Sequence, residues 1–180
     1  MSHNPEIEDV RIKWVEGSRY GPKLIWANCF VHRIEDILAE TNLDPKSLIL
    51  EITESIVLEY TEAMVSQMER LKTLGVRLYL DDFGTGYSSL SYLQRLPLDG
   101  LKIDRSFVSQ LGSNEQSNAI VEAMIRVTQV LGLRVIGEGV ETVEQRAALR
   151  AMGCDEVQGY YFSKPMDAAA IVSLIPARAA

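Results

Sequence analysis

The sequence predicts an α/β protein with a parallel sheet, which would be either a barrel or an open doubly wound sheet. Apolar, strand-like runs begin near residues 48, 76, 100, 133 and 156, and helix-like segments separate them. The 23 to 33 residues between successive starts are the spacing that βα units require. The runs are almost continuously apolar, as expected for parallel strands that helices cover on both faces.

Length and composition limit the class of protein. The 180 residues fit one domain, and a hydrophobic content of 47% is enough for a substantial core. A net charge of -7 argues against a DNA or RNA polymer as partner, because such binding needs a basic surface. The chain has no apolar run near the ~20 residues of a membrane span, and it starts without a signal-peptide pattern. Cys29 and Cys154 are expected to be buried reduced thiols, which predicts a cytoplasmic location.

The N-terminal third is expected to contain three strands and one helix. A short strand is predicted within 10–15. The apolar run 24–30 predicts a buried strand with Asn28 near its end, and a short helix follows at 34–40. The next apolar run, 48–53, predicts a further buried strand.

The rest of the chain alternates between helices and strands. The predicted helices are 58–74, 88–95, 115–130, 143–152 and 168–174. The predicted strands between them are 76–80, 100–104, 133–137 and 156–160. Gly75, Gly132 and Gly153 follow the three longer helices, where glycine commonly ends a helix. In the helix at 115–130, the side chains expected to share the apolar face are Ile120, Met124, Val127 and Val130.

Polar residues occur at or near the ends of six predicted strands. They are Asn28, Glu51, Asp81 with Asp82, Lys102, Glu138 and Gln158. Ligands of parallel α/β folds bind at the carboxyl ends of the strands, so these side chains are predicted to converge on one site.

The residue types at these strand ends favour a metal site. Neighbouring carboxylates repel each other unless a cation joins them, and oxygen ligands suit Mg²⁺ or Mn²⁺. Four acids can hold two such ions about 4 Å apart, an arrangement suited to in-line displacement at phosphorus by a metal-activated water. Lys102 could orient or deprotonate that water, or neutralise a phosphoryl oxygen.

Each of these residues also has a local structural interpretation that remains open. Glu51 could pair with a nearby Lys or Arg, Lys102 could extend to solvent from a strand end, and Gln158 could be an ordinary polar residue. Capping of the next helix is an alternative for Asp82. Near Thr142, capping is favoured for Glu141 and metal ligation for Glu138. Asp104 is expected to cap the following turn, and Tyr160 and Tyr161 are expected to be packing groups.

Five motifs resemble those of the EAL-domain cyclic di-GMP phosphodiesterases, and they occur in the family's order. They are Glu51-Ile-Thr-Glu-Ser, Asp81-Asp-Phe-Gly-Thr-Gly-Tyr-Ser-Ser-Leu, Leu101-Lys-Ile-Asp, Glu138-Gly-Val-Glu-Thr and Gln158-Gly-Tyr. The resemblance is dense from about residue 43 to residue 166. It implies a TIM-like barrel that hydrolyses cyclic di-GMP to linear pGpG with two Mg²⁺ or Mn²⁺ ions.

The resemblance also implies a role for each residue that matches a motif. Those that would bind metal are Asn28, Glu51, Asp81 and Glu138, together with Asp82 for the second ion. Lys102 would position or activate the attacking water, and Gln158 would contact the metal-bound water. Glu54 would hold the loop 82–90, which the family associates with the second metal and with dimerisation.

The chain departs from the family's pattern at its N-terminal end. It has no Glu-Ala-Leu tripeptide before Asn28, and its 180 residues are fewer than the roughly 250 of a typical barrel. We therefore expect a divergent segment at 1–22, an EAL-like domain at 23–176, and a barrel that is incomplete or rearranged at its N-terminus.

Two functions follow from this departure. One is a phosphodiesterase impaired by the missing first strands, and the other is a non-catalytic module that binds cyclic di-GMP or a protein. Unpaired sheet edges would favour a homodimer or a sensory or regulatory partner. An unrelated Mg²⁺-dependent barrel enzyme would explain the acids but not the long motif that starts at Asp81.

Overall fold

Six parallel strands form one sheet in the computed structural model, which describes residues 10–13, 28–54, 61–86 and 90–166. The strands are β1 (Val10–Lys13), β2 (Leu48–Thr53), β3 (Arg77–Phe83), β4 (Gly100–Ile103), β5 (Arg134–Gly137) and β6 (Glu156–Val157). Their order in the sheet follows the chain, and each strand is parallel to its neighbour. Strands β2 to β6 begin within one residue of the predicted positions, so the spacing of the apolar runs located them correctly.

Helices connect the strands, as the alternating pattern predicts. They are α1 (Asn28–Thr41), α2 (Glu62–Leu74), α3 (Leu90–Leu93), α4 (Arg105–Val108), α5 (Glu115–Val130) and α6 (Val143–Ala151), with a 3₁₀ turn at Pro45–Ser47. The predicted helix at 168–174 and most of the predicted strand at 24–30 lie outside the described residues. In the described part of the chain, we find no helix long and apolar enough to cross a membrane.

Capping side chains define where the longer helices begin. Thr61 accepts a hydrogen bond from the Met64 amide at the start of α2, and Asn114 accepts one from the Ser117 amide at the start of α5. Thr142 caps α6, where Gln145 completes a reciprocal capping box. The predicted capping role of Glu141 is therefore wrong, because the adjacent threonine hydroxyl provides this contact.

The two faces of the sheet bury different side chains. Residues that alternate along the strands pack against the helices and form the main core, among them Leu48, Leu50, Leu78, Leu80, Leu101, Ile103 and Val135. The opposite face carries a small separate apolar cluster of Ile49, Tyr79 and Ile136. This second face also carries the candidate site.

The structure corrects the last three residues of the predicted strand at 24–30, while 24–27 lie outside the described residues. Asn28 is the first residue of α1, so residues 28–30 are helical, and the helix extends beyond the predicted 34–40 at both ends. Val31, Ile34 and Leu38 are buried with helical spacing, which places these three side chains on one face of α1. A short apolar run is compatible with either a buried strand or a buried helix face, and the prediction of a strand was wrong for residues 28–30.

The structure also corrects the predicted core face of α5. Its buried side chains are Ser117, Val121, Ile125 and Thr128. Of the predicted face, Met124 is half-buried and packs against the core, whereas Ile120 is 42% and Val130 is 86% exposed. The helix has apolar residues on two neighbouring stripes, and the contacts of α5 with β4 and β5 decide which stripe is buried.

Candidate active site

Four of the predicted site residues meet in one buried ion-pair cluster, which we call the carboxylate–lysine cluster. It consists of Lys102 with Glu51, Asp81 and Glu138. The ammonium nitrogen Nζ of Lys102 lies 2.7 Å from Glu51 Oε1 and 3.1 Å from Asp81 Oδ1, and it also pairs with Glu138. All four residues are buried. The prediction that these strand ends converge is therefore confirmed, and Lys102 does not extend to solvent.

Strand register explains why these residues meet. Glu51 lies in β2, Asp81 in β3 and Lys102 in β4, while Glu138 directly follows β5. Because parallel strands place their carboxyl ends at the same edge of a sheet, these positions lie side by side. Gln158 follows β6, and its side-chain amide Nε2 donates a 2.6 Å hydrogen bond to Glu138 Oε1.

The three acids keep Lys102 protonated. Burial acts to lower the pKa of this lysine, but Glu138, Asp81 and Glu51 outweigh burial and raise the pKa above its ordinary value. The side chain is therefore an ammonium that neutralises part of the acidic cluster. Removing it would leave several carboxylates in a buried environment without a matching charge.

A local irregularity brings Asp82 to the same site as Asp81. In a regular strand, successive side chains point to opposite faces. Here the pairing register between β3 and β4 shifts between Leu80 and Phe83, and Asp82 adopts a left-handed conformation with φ 56°. One carboxylate oxygen each from Asp81, Asp82 and Glu138 then lie within 4.8 Å of one another.

Glu54 holds the loop that follows Asp82. Its buried carboxylate oxygen Oε2 accepts hydrogen bonds from the amides of Gly84 at 3.0 Å and Gly86 at 3.1 Å. On the other side of the loop, a Cβ atom at Gly84 would lie 2.3 Å from Met124 Cε and 2.8 Å from the Phe107 ring. The loop is thus fixed between the end of β2 and the helices α4 and α5.

A cavity of about 600 Å³ opens beside the cluster. Glu138 and Gln158 form its inner wall, and Arg105 and Lys164 add positive charge to its lining. Arg105 also forms an ion pair of 3.0 Å with Glu141, which lines the same cavity. Its volume is within the usual range for small-molecule sites.

Several site features differ from the predictions or were missed. The Asn28 side chain lies outside the described residues. Tyr160 is 54% exposed, so its assignment as a packing group is wrong, whereas the Tyr161 ring packs edge-to-face against Phe162 and lies under Arg146. Asp104 caps α4 as expected, by accepting a hydrogen bond from the Ser106 amide. The prediction overlooked Arg105 as a site residue, although it follows the end of β4 and the strand-end rule could have identified it.

The geometry agrees with the comparisons with known proteins. The profile of the EAL domain family matches residues 21–165, and the chain therefore belongs to this family. Its fold class is accordingly the TIM-like barrel, of which the described residues form an open six-stranded part.

Curated relatives and solved structures are similar to most of this chain. Over 147 residues the chain is 44% identical to cyclic di-GMP phosphodiesterase NbdA of Pseudomonas aeruginosa, covering 82% of this chain and 19% of that protein. The chain spans about a fifth of the length of the curated relatives it matches. The PaMucR phosphodiesterase–c-di-GMP complex is 36% identical with a TM-score of 0.81, covering 91% of this chain and 64% of that one. The manganese and cy-diGMP complex of Klebsiella pneumoniae BlrP1 is 31% identical with a TM-score of 0.77. The match covers 87% of this chain and 39% of the BlrP1 chain.

Proposed function

We propose that this chain is a cyclic di-GMP phosphodiesterase domain that hydrolyses its substrate to linear pGpG with two divalent metal ions, Mg²⁺ or Mn²⁺. The observation that carries the proposal is the buried convergence of Glu51, Asp81 and Glu138 around Lys102, with Asp82 turned toward the same point. NbdA carries the same activity in its name, and the PaMucR structure contains c-di-GMP.

The donor set fits a pair of hard divalent cations. The described donors are all carboxylate oxygens, and three of them from different residues already lie within 4.8 Å of each other. We assign metal ligation to Asn28, Glu51, Asp81 and Glu138, with Asp82 as a ligand of the second ion. Such ions polarise a phosphoryl oxygen and make a bound water nucleophilic. The BlrP1 relative, which was solved with manganese, supports this assignment.

The remaining site residues position the reacting groups. Lys102 carries a positive charge among the acids, and we assign it to holding the attacking water or a developing negative charge on phosphoryl oxygen. Gln158 fixes the orientation of Glu138 and faces the cavity, where it can contact a metal-bound water. Glu54 keeps the loop after Asp82 in place, so it acts on the reaction through that acid.

The cavity supports a phosphate-bearing substrate. Arg105 and Lys164 line it, and cations at these positions can pair with phosphate oxygens that the inner acids alone would repel. Because the net charge of -7 repels anions, local positive charge at the cavity favours the binding of an anionic ligand.

Incubation of the protein with cyclic di-GMP and Mg²⁺ or Mn²⁺, followed by chromatography, tests the proposal. The expected product is pGpG, and EDTA should abolish its formation. A second candidate is a non-catalytic module that binds cyclic di-GMP or a protein partner, and it is motivated by the absence of a Glu-Ala-Leu motif in these 180 residues. Micromolar binding without turnover would favour that module. Turnover that survives both Glu51→Ala and Lys102→Ala would show that the assigned site is wrong.

The organisation around the site completes the proposal. The family match from residue 21 supports a domain at 23–176 after a divergent segment at 1–22.

The thiol of Cys154 is free, which supports a reducing, cytoplasmic compartment. We also propose a homodimer, or a sensory or regulatory partner, because β1 and β6 are edge strands of the sheet formed by the described residues. Light scattering should show a dimer, and a clean monomer would count against self-association at these edges.

A further inference from the structure

An apolar layer lies beneath the carboxylate–lysine cluster, and we call it the floor layer. Residues two apart on a strand share a face and lie in successive layers. The floor layer consists of Ile49, Tyr79, Gly100 and Ile136, each placed two positions before Glu51, Asp81, Lys102 and Glu138 in turn. Ile49, Tyr79 and Ile136 are fully buried and form a cluster separate from the main core. The carboxylate–lysine cluster thus lies above a floor layer that contains no acidic or basic side chain.

Within this floor layer, the Tyr79 ring occupies the space that a side chain at Gly100 would need. They are register partners on neighbouring strands. A Cβ atom at Gly100 would lie 2.9 Å from Cε2 and 3.0 Å from Cζ of Tyr79, so the ring covers the glycine. Because Gly100 precedes Lys102 by two positions, the ring lies directly below the lysine.

The polar end of Tyr79 is buried near Arg134, and its hydroxyl has no hydrogen-bond partner among the described residues. Interaction with the Tyr79 side chain raises the pKa of the Arg134 guanidinium, which also pairs with Glu156 at 3.0 Å. Arg134 precedes Glu138 by four positions on the same segment, so it lies two layers below the carboxylates. The aromatic ring therefore separates the acidic cluster from a more polar end of the sheet.

We propose that Tyr79 is a positioning residue whose ring excludes water from beneath the carboxylate–lysine cluster and thereby strengthens divalent-metal binding there. This inference rests on the proposed metal-dependent function. Charges interact more strongly where water is excluded, and a rigid ring restricts the movement of Lys102 and Asp81. Truncating the ring would open a space that water can enter, so the carboxylates would be partly hydrated and less well placed.

Titration calorimetry with Mn²⁺ alone tests this role without depending on turnover. Tyr79→Ala should weaken the Mn²⁺ dissociation constant at least about 10-fold, as residues that support metal ligands typically do. Tyr79→Phe keeps the ring and should remain within about twofold of the wild type, on the same reasoning. Ile125→Ala is the matched control, because it removes a fully buried side chain from the opposite face of the sheet. It should lower the melting temperature but leave Mn²⁺ affinity unchanged.

The outcomes separate this inference from the proposed function. Wild-type protein that binds no Mn²⁺ would overturn the metal-dependent function and the inference with it. Wild-type binding combined with equal affinities for Tyr79→Ala and Ile125→Ala would overturn only the role of Tyr79, and so would an equal loss in Tyr79→Phe. If Tyr79→Ala does not fold, Gly100→Ala replaces it, since its methyl group must displace the ring. Unchanged Mn²⁺ affinity in that variant would likewise overturn the proposal.

Discussion

Lys102 and Glu51 form a buried ion pair of 2.7 Å at the centre of the site, and the same ammonium also pairs with Asp81 and Glu138. A single lysine thus compensates acids from three different strand ends. When no other cation is bound, the stability of this part of the fold depends on the ion pairs of Lys102. The proposed function requires metal ions to take over part of the interaction between Lys102 and the acids.

Lys102→Met should make the stability of the protein depend on metal. It removes the charge but keeps most of the apolar volume, and it leaves three buried carboxylates without their partner. The free energy of unfolding in EDTA should fall by about 3 to 5 kcal/mol, and Mn²⁺ should restore part of it. Thermal unfolding in EDTA and in MnCl₂ measures both effects.

Lys72→Met is the control for this experiment. Lys72 pairs with Asp99 in a partly exposed position, so its loss should cost about 1 kcal/mol or less, without a dependence on Mn²⁺. Equal melting temperatures of Lys102→Met and the wild type in EDTA would show that the lysine does not hold the acids together.

Asp82→Gly should stabilise the fold while weakening metal binding. The left-handed conformation of Asp82, φ 56°, is unfavourable for a side chain but not for glycine, so the free energy of unfolding should rise by up to about 1 kcal/mol. Asn42, with φ 52° at an exposed position, provides the matched Asn42→Gly control. Both variants should gain stability, and only Asp82→Gly should lose Mn²⁺ sites in calorimetry. Full metal stoichiometry in Asp82→Gly would remove this acid from the proposed site.

Glu54→Ala should loosen the loop that follows Asp82. The amides of Gly84 and Gly86 would lose their shared acceptor, at a cost of about 1 to 3 kcal/mol. Hydrogen exchange of these two amides should become faster, and the second Mn²⁺ should bind more weakly. Glu69→Ala, at an exposed position on α2, should change neither property. Unaltered exchange at both glycines would contradict the assigned role of Glu54.

The Cys154 thiol should react slowly at neutral pH. Burial raises its pKa to about 11, and its Sγ donates a hydrogen bond of 3.1 Å to the Glu156 carbonyl oxygen, which also favours the protonated thiol. In Cys29→Ser protein, alkylation by iodoacetamide should accelerate about tenfold per pH unit up to pH 11, because only the thiolate reacts. A rate that levels off below pH 9 would contradict the raised pKa.

The same shift predicts how Cys154 affects stability. The folded state holds this proton more tightly than the unfolded state, so its contribution is complete below the unfolded pKa of about 8.5. It is then lost as pH rises toward 11. The free energy of unfolding should therefore fall more steeply over this range in the wild type than in Cys154→Ser, as urea titrations at several pH values can show.

Much of the fold and the core of the site follow from local sequence patterns. Apolar runs located the starts of β2 to β6, because parallel strands buried on both faces need nearly continuous apolar residues. The polar residues that end these runs identified Glu51, Asp81, Lys102 and Glu138 as neighbours, since the carboxyl ends of parallel strands share one edge. Periodicity predicted a strand instead of a helix at Asn28 and the wrong buried face of α5. At both places the apolar pattern fits two arrangements, and the packing of the surrounding elements decides between them.

By itself, the sequence determined the order of the strands and helices, the set of acids around one lysine, and the motifs of the EAL family. Only the tertiary structure decided how Asp82 turns beside Asp81, because that depends on a shift in register between β3 and β4. The same is true of Tyr79 over Gly100, two residues 21 positions apart in the chain. Their contact depends on pairing between strands, and the periodicity of a single strand contains no information about its partner's register.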